Sequence, residues 1–358
     1  SAVQLITGGN DQDTTYKGLI SGDGGLFKAG TGSTFTIERA GSSQNTFVSA
    51  LTIDAGVVEL TGGGAIADST SATLNRPDSG KNVKLLVSAS EEINTLSSDT
   101  AWTNTPGQTT VVEIAGSETL TLDDQSDTTY YGQIIGAGGL EKIGSATFTL
   151  DNYGIDTKAD SPSNETANES TFAGATDIKA GTLVATGHSI GDLSAVTVHG
   201  GATFRIIGDE EIGSLATPTD PKPGESGTPE ANVEIDDGDG TEEPGSPTLT
   251  TGGNNEDTTF AGEISGEGGV TKTGEGGMVL DTSGGDPKDE GNTFKGPLKV
   301  EEGDITTEGG KSIGDGMPVE VNDPGTLNVD DSEEVGSLNG DGDVNVGGET
   351  EIGQGLTA

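Results

Sequence analysis

The chain of 358 residues has no cysteine, two histidines and one tryptophan, and only 4% of its residues are aromatic. Without cysteine, disulfide staples, thiolate zinc sites and cysteine nucleophiles are excluded together. Bases are scarce: 16 Lys and Arg stand against 60 Asp and Glu, a formal net charge of −44. Such a surface repels phosphate backbones and anionic lipid, so neither nucleic acid nor a membrane surface is an expected partner. No apolar run approaches the roughly 18 residues of a membrane helix. Nor does an apolar pattern of helical period persist anywhere for about ten residues, so helix content should be close to nil. Hydrophobic residues amount to 29%, a thin core for a globule of this length and near the compositions that stay disordered.

Glycine and repetition are present in its place. Glycine counts 61, and five landmarks return three times in the same order. The first is Asp13-Thr14-Thr15-Tyr16, Asp127-Thr128-Thr129-Tyr130 and Asp257-Thr258-Thr259-Phe260. A glycine pair with an apolar residue and a lysine follows: Gly24-Gly25-Leu26-Phe27-Lys28, Gly138-Gly139-Leu140-Glu141-Lys142 and Gly268-Gly269-Val270-Thr271-Lys272. Next come the alternating runs Thr34–Ile37, Thr147–Leu150 and Met278–Leu280, then Thr46-Phe47, Thr171-Phe172 and Thr293-Phe294, each leading to an apolar pair around a glycine. Each copy closes on Glu91-Glu92-Ile93, Glu210-Glu211-Ile212 or Glu333-Glu334-Val335. Apolar and polar residues alternate for three to five positions before Gly, Asn or Asp breaks the run. Period two marks strands with one buried face, and glycine supplies the positive φ of sharp corners. Strands this short suit a coil that turns every few residues. The expected fold is all-β, a β-solenoid of three tandem copies (1–116, 117–245 and 246–358) in one continuous rod. Coils of about 20–25 residues would give about five per copy and a rod on the order of 70 Å.

Several of these segments resemble the autotransporter-associated β-strand repeat found in bacterial autotransporter passengers and related secreted surface proteins. The resemblance rests on Gly-Gly-Leu-x-Lys-x-Gly, a Thr-Phe-Thr-Leu strand, Asn/Ser-Thr-Phe-x-Gly and Ala-Gly-Thr-Leu. It is clearest over Gly136–Leu150 and Ser170–Leu183, whereas the third copy has Glu302-Gly303-Asp304-Ile305 in place of the last element. The resemblance implies a right-handed parallel β-solenoid (β-helix) at a bacterial cell surface or outside the cell, and it implies no enzyme, because the repeat is scaffold. The C-terminal stretch ending Gly355-Leu356-Thr357-Ala358 carries no membrane-barrel pattern, and no charged-then-apolar leader opens the chain. A processed passenger or a secreted protein using the same repeat is therefore expected. With no evident caps, strand edges at both ends would favour head-to-tail self-association.

The charge is uneven. Residues 1–116 hold six bases and twelve acids, while 117–245 and 246–358 each hold five bases and twenty-four acids. One reading is a solubilising surface for a salty medium, and another is calcium-dependent ordering or bundling. Calcium takes six to eight oxygens from Asp/Gly-rich loops. Two stretches have that chemistry: Asp236, Asp237 and Asp239 beyond a Pro-rich segment, and Asn339, Asp341 and Asp343. The first also reads as a solvated loop and the second as an ordinary strand and turn. Asp123, Asp124 and Asp127, and Asp330, Asp331, Glu333 and Glu334, pose the same question more weakly. No cofactor is required by any motif. His188 and His199 lie in the middle copy, where no Gly-x-Ser-x-Gly elbow accompanies them, so neither is expected to act in catalysis. Trp102 lies in the insertion Ser97–Thr110, and further insertions fill Asp151–Glu169 and Ala216–Asn232. Loops thrown off a solenoid are its usual binding places; Asn164 and Asn168 match the glycosylation acceptor pattern.

Three functional readings follow. The first is a non-enzymatic structural subunit that stacks end to end into an extracellular fibre or matrix. The second is an adhesin passenger that presents its loops to a cell-surface or matrix partner. The third, remote, is a polysaccharide-active enzyme using paired acids, a signal an acidic solenoid always offers.

Overall fold

The computed structural model describes residues 3–39, 44–47, 49–75, 81–98, 110–152, 169–219, 229–237, 247–283 and 291–347. Among them there is no helix, and the strands are two to six residues long. They pair in parallel and stack as a β-solenoid of about 12 turns.

Each turn crosses three faces. The first face begins with Gln4–Thr7, Gly25–Lys28, Leu51–Ile53, Ala72–Leu74 and Leu96–Ser98. It continues through Thr128–Tyr130, Thr147–Asp151, Thr182–Thr186, Thr203–Ile207, Ala231–Asp236 and Gly262–Gly266. The second runs from Thr14–Tyr16 up to Gln133–Gly136 and resumes from Glu210–Ile212 to Ser337–Gly340. Phe172 and Ile190 lie between its two parts. The third holds Glu91–Ile93 through Ser214–Ala216, followed by Thr258–Phe260 through Asp343–Val346. The Gly-Gly-x-x-Lys strands lie on three different faces: Gly25–Lys28 on the first, Gly139–Lys142 on the third and Gly269–Lys272 on the second. The sequence repeat is thus out of step with the turn.

Alternation decides which side chains enter the lumen. Val83–Val87 buries Val83, Leu85 and Val87 and turns Lys84 and Leu86 outward. Because parallel register puts like on like, Val58, Leu85, Val112 and Ile134 form one vertical stack, and Leu26, Leu51, Ala72 and Leu96 another. Such stacks join into a single apolar core from Leu26 to Leu327. Each buried aliphatic contributes about 1.5–3 kcal/mol, which explains how a low apolar fraction suffices: one small residue fills each inward place. Outward positions carry cross-turn ion pairs such as Lys84–Glu113 at 2.6 Å and Arg205–Asp236 at 2.6 Å. At this exposure such pairs are each worth under about 1 kcal/mol.

The expected turn length holds in many steps, such as Leu5 to Leu26 and Leu298 to Val319. Five turns per copy was too many. Insertions lengthen single turns instead of adding new ones, as between Leu140 and its partner Thr176. At about 4.8 Å per turn the rod is roughly 60 Å long.

Leu85→Ala should cost about 2–5 kcal/mol in urea unfolding, since the wall around it cannot collapse, whereas Thr36→Ala on the outer surface should stay within about 1 kcal/mol.

Candidate functional site

A solenoid corner carries backbone carbonyls and N–H groups into a lumen that water does not reach, and each needs a partner. The recurring polar landmarks supply them. Lys28, Lys142 and Lys272 point inward at the ends of their strands and are fully buried. Lys28 Nζ donates to the carbonyls of Ala29 (2.7 Å) and Ala55 (3.2 Å) and to Ser33 Oγ (3.3 Å). Lys272 Nζ donates to the carbonyls of Thr273 (2.7 Å), Gly274 (2.8 Å) and Glu302 (3.3 Å). Lys142 Nζ donates to the carbonyls of Gly144 and Ala180, and Asp124 Oδ1 lies 3.2 Å away as a buried counter-ion. Each ammonium therefore ties one turn to the next. Burial pulls all three ammonium pKa values below the ordinary 10.5, opposed by acids including Asp11 and Asp13, Asp124, and Asp304 and Glu302 respectively. Gly56, Gly181 and Gly303 cover the three head groups at φ of 77°, 67° and 69°. A Cβ on any of them would lie within 2.9 Å of the lysine nitrogen. This is the physical reason for the glycine in the Ala-Gly-Thr-Leu landmark.

The first glutamate of each Glu-Glu landmark does the converse and accepts corner N–H groups. Glu91 takes Ile66 N (2.8 Å) and Ala65 N (3.1 Å); Glu210 takes Ile190 N (2.9 Å) and Ser189 N (3.0 Å). Glu333 takes Ser312 N (2.9 Å) and Ile313 N (3.2 Å). Burial pushes Glu91 up to about 7 and Glu210 up to about 8 and raises Glu333, against the lowering pull of those N–H bonds. Asn45 and Asn292 bridge three turns: Oδ1 accepts from Ile20 N or Ile264 N, and Nδ2 donates to the carbonyl of Ala65 or Ser312, all at 2.7 Å. In the middle copy Ser170 Oγ takes the same place on Ile134 N at 3.1 Å. The Asp-Thr-Thr aspartates Asp13, Asp127 and Asp257 accept from Thr34, Thr147 and Gly277 N at 2.7, 2.9 and 2.8 Å.

The calcium candidates fall in separate turns. Asp236 ends its strand beside Arg205, with Asp237 next to it, and Asp239 lies outside the described residues. Asn339 sits exposed on the end strand Ser337–Gly340, Asp341 Oδ1 accepts from Asp323 N at 3.1 Å, and Asp343 opens the last strand. Among the described residues, no group of three or more His, Asp and Glu is placed to hold a metal ion. Of the weaker groups, Asp124 is the lysine counter-ion, Asp331 accepts from Gly309 N at 2.9 Å and Glu333 is a corner clamp. His199 Nε2 lies 2.6 Å from Asp177 Oδ1 on the outer surface. His188 has a φ of 54° and offers its carbonyl to Ser170 N at 3.2 Å, as Lys311 does to Asn292 N at 3.1 Å. Trp102, Asn164, Asn168 and most of the three insertions lie outside the described residues.

The ends of the rod differ from its sides. Val3, Leu5, Ile6, Tyr16 and Leu19 are exposed at one end, and Leu338 and Val346 at the other. A concavity of about 410 Å³ opens at the second end, lined by Ile313, Leu327, Val335, Leu338, Val344 and Val346. It is the mouth of the apolar lumen. Sequence reasoning missed the lysines and glutamates as corner ties, though three of only 16 bases recurring at one landmark position was a usable signal.

No family model matches the chain, and neither a curated protein nor a solved structure matches it.

Asp124→Ala should cost about 3–5 kcal/mol in urea unfolding, because Lys142 is left charged, buried and without its counter-ion; a loss under about 1 kcal/mol would mean that water reaches the corner. A pH effect follows from the glutamates. Their folded values lie above the ordinary 4.5, so the stability they contribute is complete below that value and is lost as pH rises through about 7 and about 8. The thermal midpoint should therefore rise between about pH 9 and about pH 6, and the Glu91→Gln, Glu210→Gln double variant should flatten that rise. An unchanged slope in the variant would remove the glutamates as its source.

Proposed function

We propose that this protein is a non-enzymatic structural subunit of an extracellular fibre or surface layer, a right-handed β-solenoid of three tandem copies that stacks head to tail. The observation that carries the reading is the position of its exposed large apolar side chains: among the described residues, all but Leu193 lie at the two ends of the rod. Open parallel edges with apolar inward positions template association. The three-copy reading is supported by the reuse of each landmark for one job, with lysine under carbonyls, glutamate on N–H groups and aspartate on the following strand. Resemblance to the autotransporter-associated repeat and the absence of cysteine support a place outside a bacterial cell. With a net charge of −44, rods repel one another at low salt, and at physiological ionic strength that repulsion is screened within about 8 Å. Assembly is thus favoured by salt, with divalent cations as further screening.

Negative-stain microscopy of the native protein at rising salt, with calcium and after chelation, should show long uniform fibres. Leu5→Asp and Leu338→Asp should leave isolated rods whose own stability moves by less than about 0.5 kcal/mol, since both side chains are exposed in the single molecule. Fibres lost on chelation would give the acids a bridging role. Isolated wild-type rods in every condition would overturn the fibre reading in favour of an adhesin.

A further inference from the structure

Resting on that head-to-tail reading, we infer the partner and register of the junction. The partner is a second copy of this chain, with Leu5 of one molecule seated over Glu333 of the other, Thr14–Tyr16 over Leu338–Gly340, and Ile20 and Gly22 over Val344 and Val346. The molecule contains this junction twice already. On the third face Glu91 pairs with Leu120 and Ile93 with Leu122. On the second, Glu210 pairs with Leu249 and Ile212 with Thr251. Leu120 and Leu249 are each followed one turn later by the Gly-Gly strand, at Leu140 and Val270. Leu5 is followed in the same way by Leu26, so the residue to seat beneath Leu5 is the third equivalent of Glu91 and Glu210, namely Glu333. Gln4–Thr7 begins the first face, and Glu333 closes the same face through its bonds to Ser312 and Ile313 N.

The other two faces agree. Tyr131 N and Ala261 N donate to Ser98 Oγ and Thr217 Oγ1 of the turn before, both at 2.8–2.9 Å. This places the Asp-Thr-Thr strand over the segment that follows each Glu-Glu landmark. Val112 pairs with Ile134 and Ile114 with Gly136, as Val233 pairs with Ile264 and Ile235 with Gly266. The third equivalents are Val344 with Ile20 and Val346 with Gly22. Burial follows this rule position by position. Leu120 and Leu249 are 0% exposed, but Leu5 is 56%; Tyr130 and Phe260 are 0% and 1%, but Tyr16 is 42%. Ile114 and Ile235 are 0% exposed, but Val346 is 80%; Leu96 and Leu215 are 0%, but Leu338 is 51%. Gly136 and Gly266 have a carbonyl, of Ile114 or Ile235, 2.2 Å from where a Cβ would be, whereas Gly22, at the matching φ of 116°, has nothing within 4 Å. In the junction this space takes the carbonyl of Val346, as Gly136 and Gly266 take those of Ile114 and Ile235.

A second copy fits these ends because each of its ends carries the residues that cover the equivalent positions at the two internal junctions. Head-to-tail order also sets the least acidic copy, at −6, against one of the two more acidic copies, at −19. One departure weakens the contact relative to the internal junctions: Gly340 stands where Ser98 and Thr217 supply a hydroxyl acceptor.

The chain has no cysteine, so engineered pairs read the register directly. Ile6 and Glu334 match the outward neighbours Thr121 with Glu92 and Thr250 with Glu211. Their Cα atoms would lie about 5 Å apart, within disulfide range, while Gln4 would lie about 8 Å from Glu334. Under mild oxidation at fibre-forming salt, Ile6→Cys protein mixed with Glu334→Cys protein should give a covalent dimer at least ten times faster than Gln4→Cys with Glu334→Cys. The Ile6→Cys, Glu334→Cys double variant should give a ladder of multimers. Fibres by microscopy with equal rates in the two mixtures would overturn the register and leave head-to-tail assembly standing. Cross-linking seen only after deletion of residues 348–358 would overturn the second copy as the native occupant. Absence of both fibres and cross-links would overturn the register and the fibre reading together.

Discussion

The constraint on which this structure depends is the dry corner. A chain that turns three times per coil has nowhere to send its corner carbonyls and N–H groups except inward or to a neighbouring turn, and an unmet group costs about 1–3 kcal/mol. Straight segments satisfy themselves through the parallel ladder. Corners do so only in part, as where Asp54 N bonds to the carbonyl of Lys28, and this chain meets the rest of the need with long polar side chains that span from one turn to the next. Lysine serves carbonyls, glutamate serves N–H groups and asparagine serves both. These ties are buried and hold neighbouring turns in a fixed rotational setting, whereas apolar stacking alone would let turns slide along the face.

The same economy explains the acid surplus. Of the acids, Glu91, Glu210, Glu333, Asp13, Asp127 and Asp257 recur at landmark positions and accept backbone N–H groups. Others such as Glu38, Glu113 and Glu267 pair with lysines, and 60 acids against 16 bases leave a large negative excess. Their mutual repulsion acts across the rod's surface and is screened by salt. Glu91 and Glu210 thus serve the fold from buried positions, whereas Asp13, Asp127 and Asp257 do so from exposed ones. Burial raises the folded-state pKa of Glu91 to about 7 and of Glu210 to about 8.

Much of the fold was legible in the sequence because period-two alternation directly records which side chains enter the lumen. Thr147–Asp151, with Phe148 and Leu150 inside, reads the same in sequence and in structure. The corner ties were not legible for the same reason. A polar residue in an alternating run reads as solvent-facing, yet Lys142 occupies an inward place in Gly139–Lys142. Asp124 and Glu333 suggested metal ligands because carboxylates in clusters do, but each answers a buried donor of the protein itself. The number of turns was overestimated because an insertion looks like additional coil until strand register shows which residues lie above which.

The mismatch between repeat and turn has a mechanical meaning. In each copy the regular ladder is broken where an Asn- or Ser-Thr-Phe segment and an Ala- or Ser-Ile corner replace full strands, around Phe47 and Ile66, Phe172 and Ile190, and Phe294 and Ile313. Because the copies step from face to face, these breaks lie on different sides of the rod and at different heights, like staggered joints in brickwork. No single seam runs the length of one side. A bending load from any direction meets two intact ladders at every level, so the rod has no soft axis along which to crease.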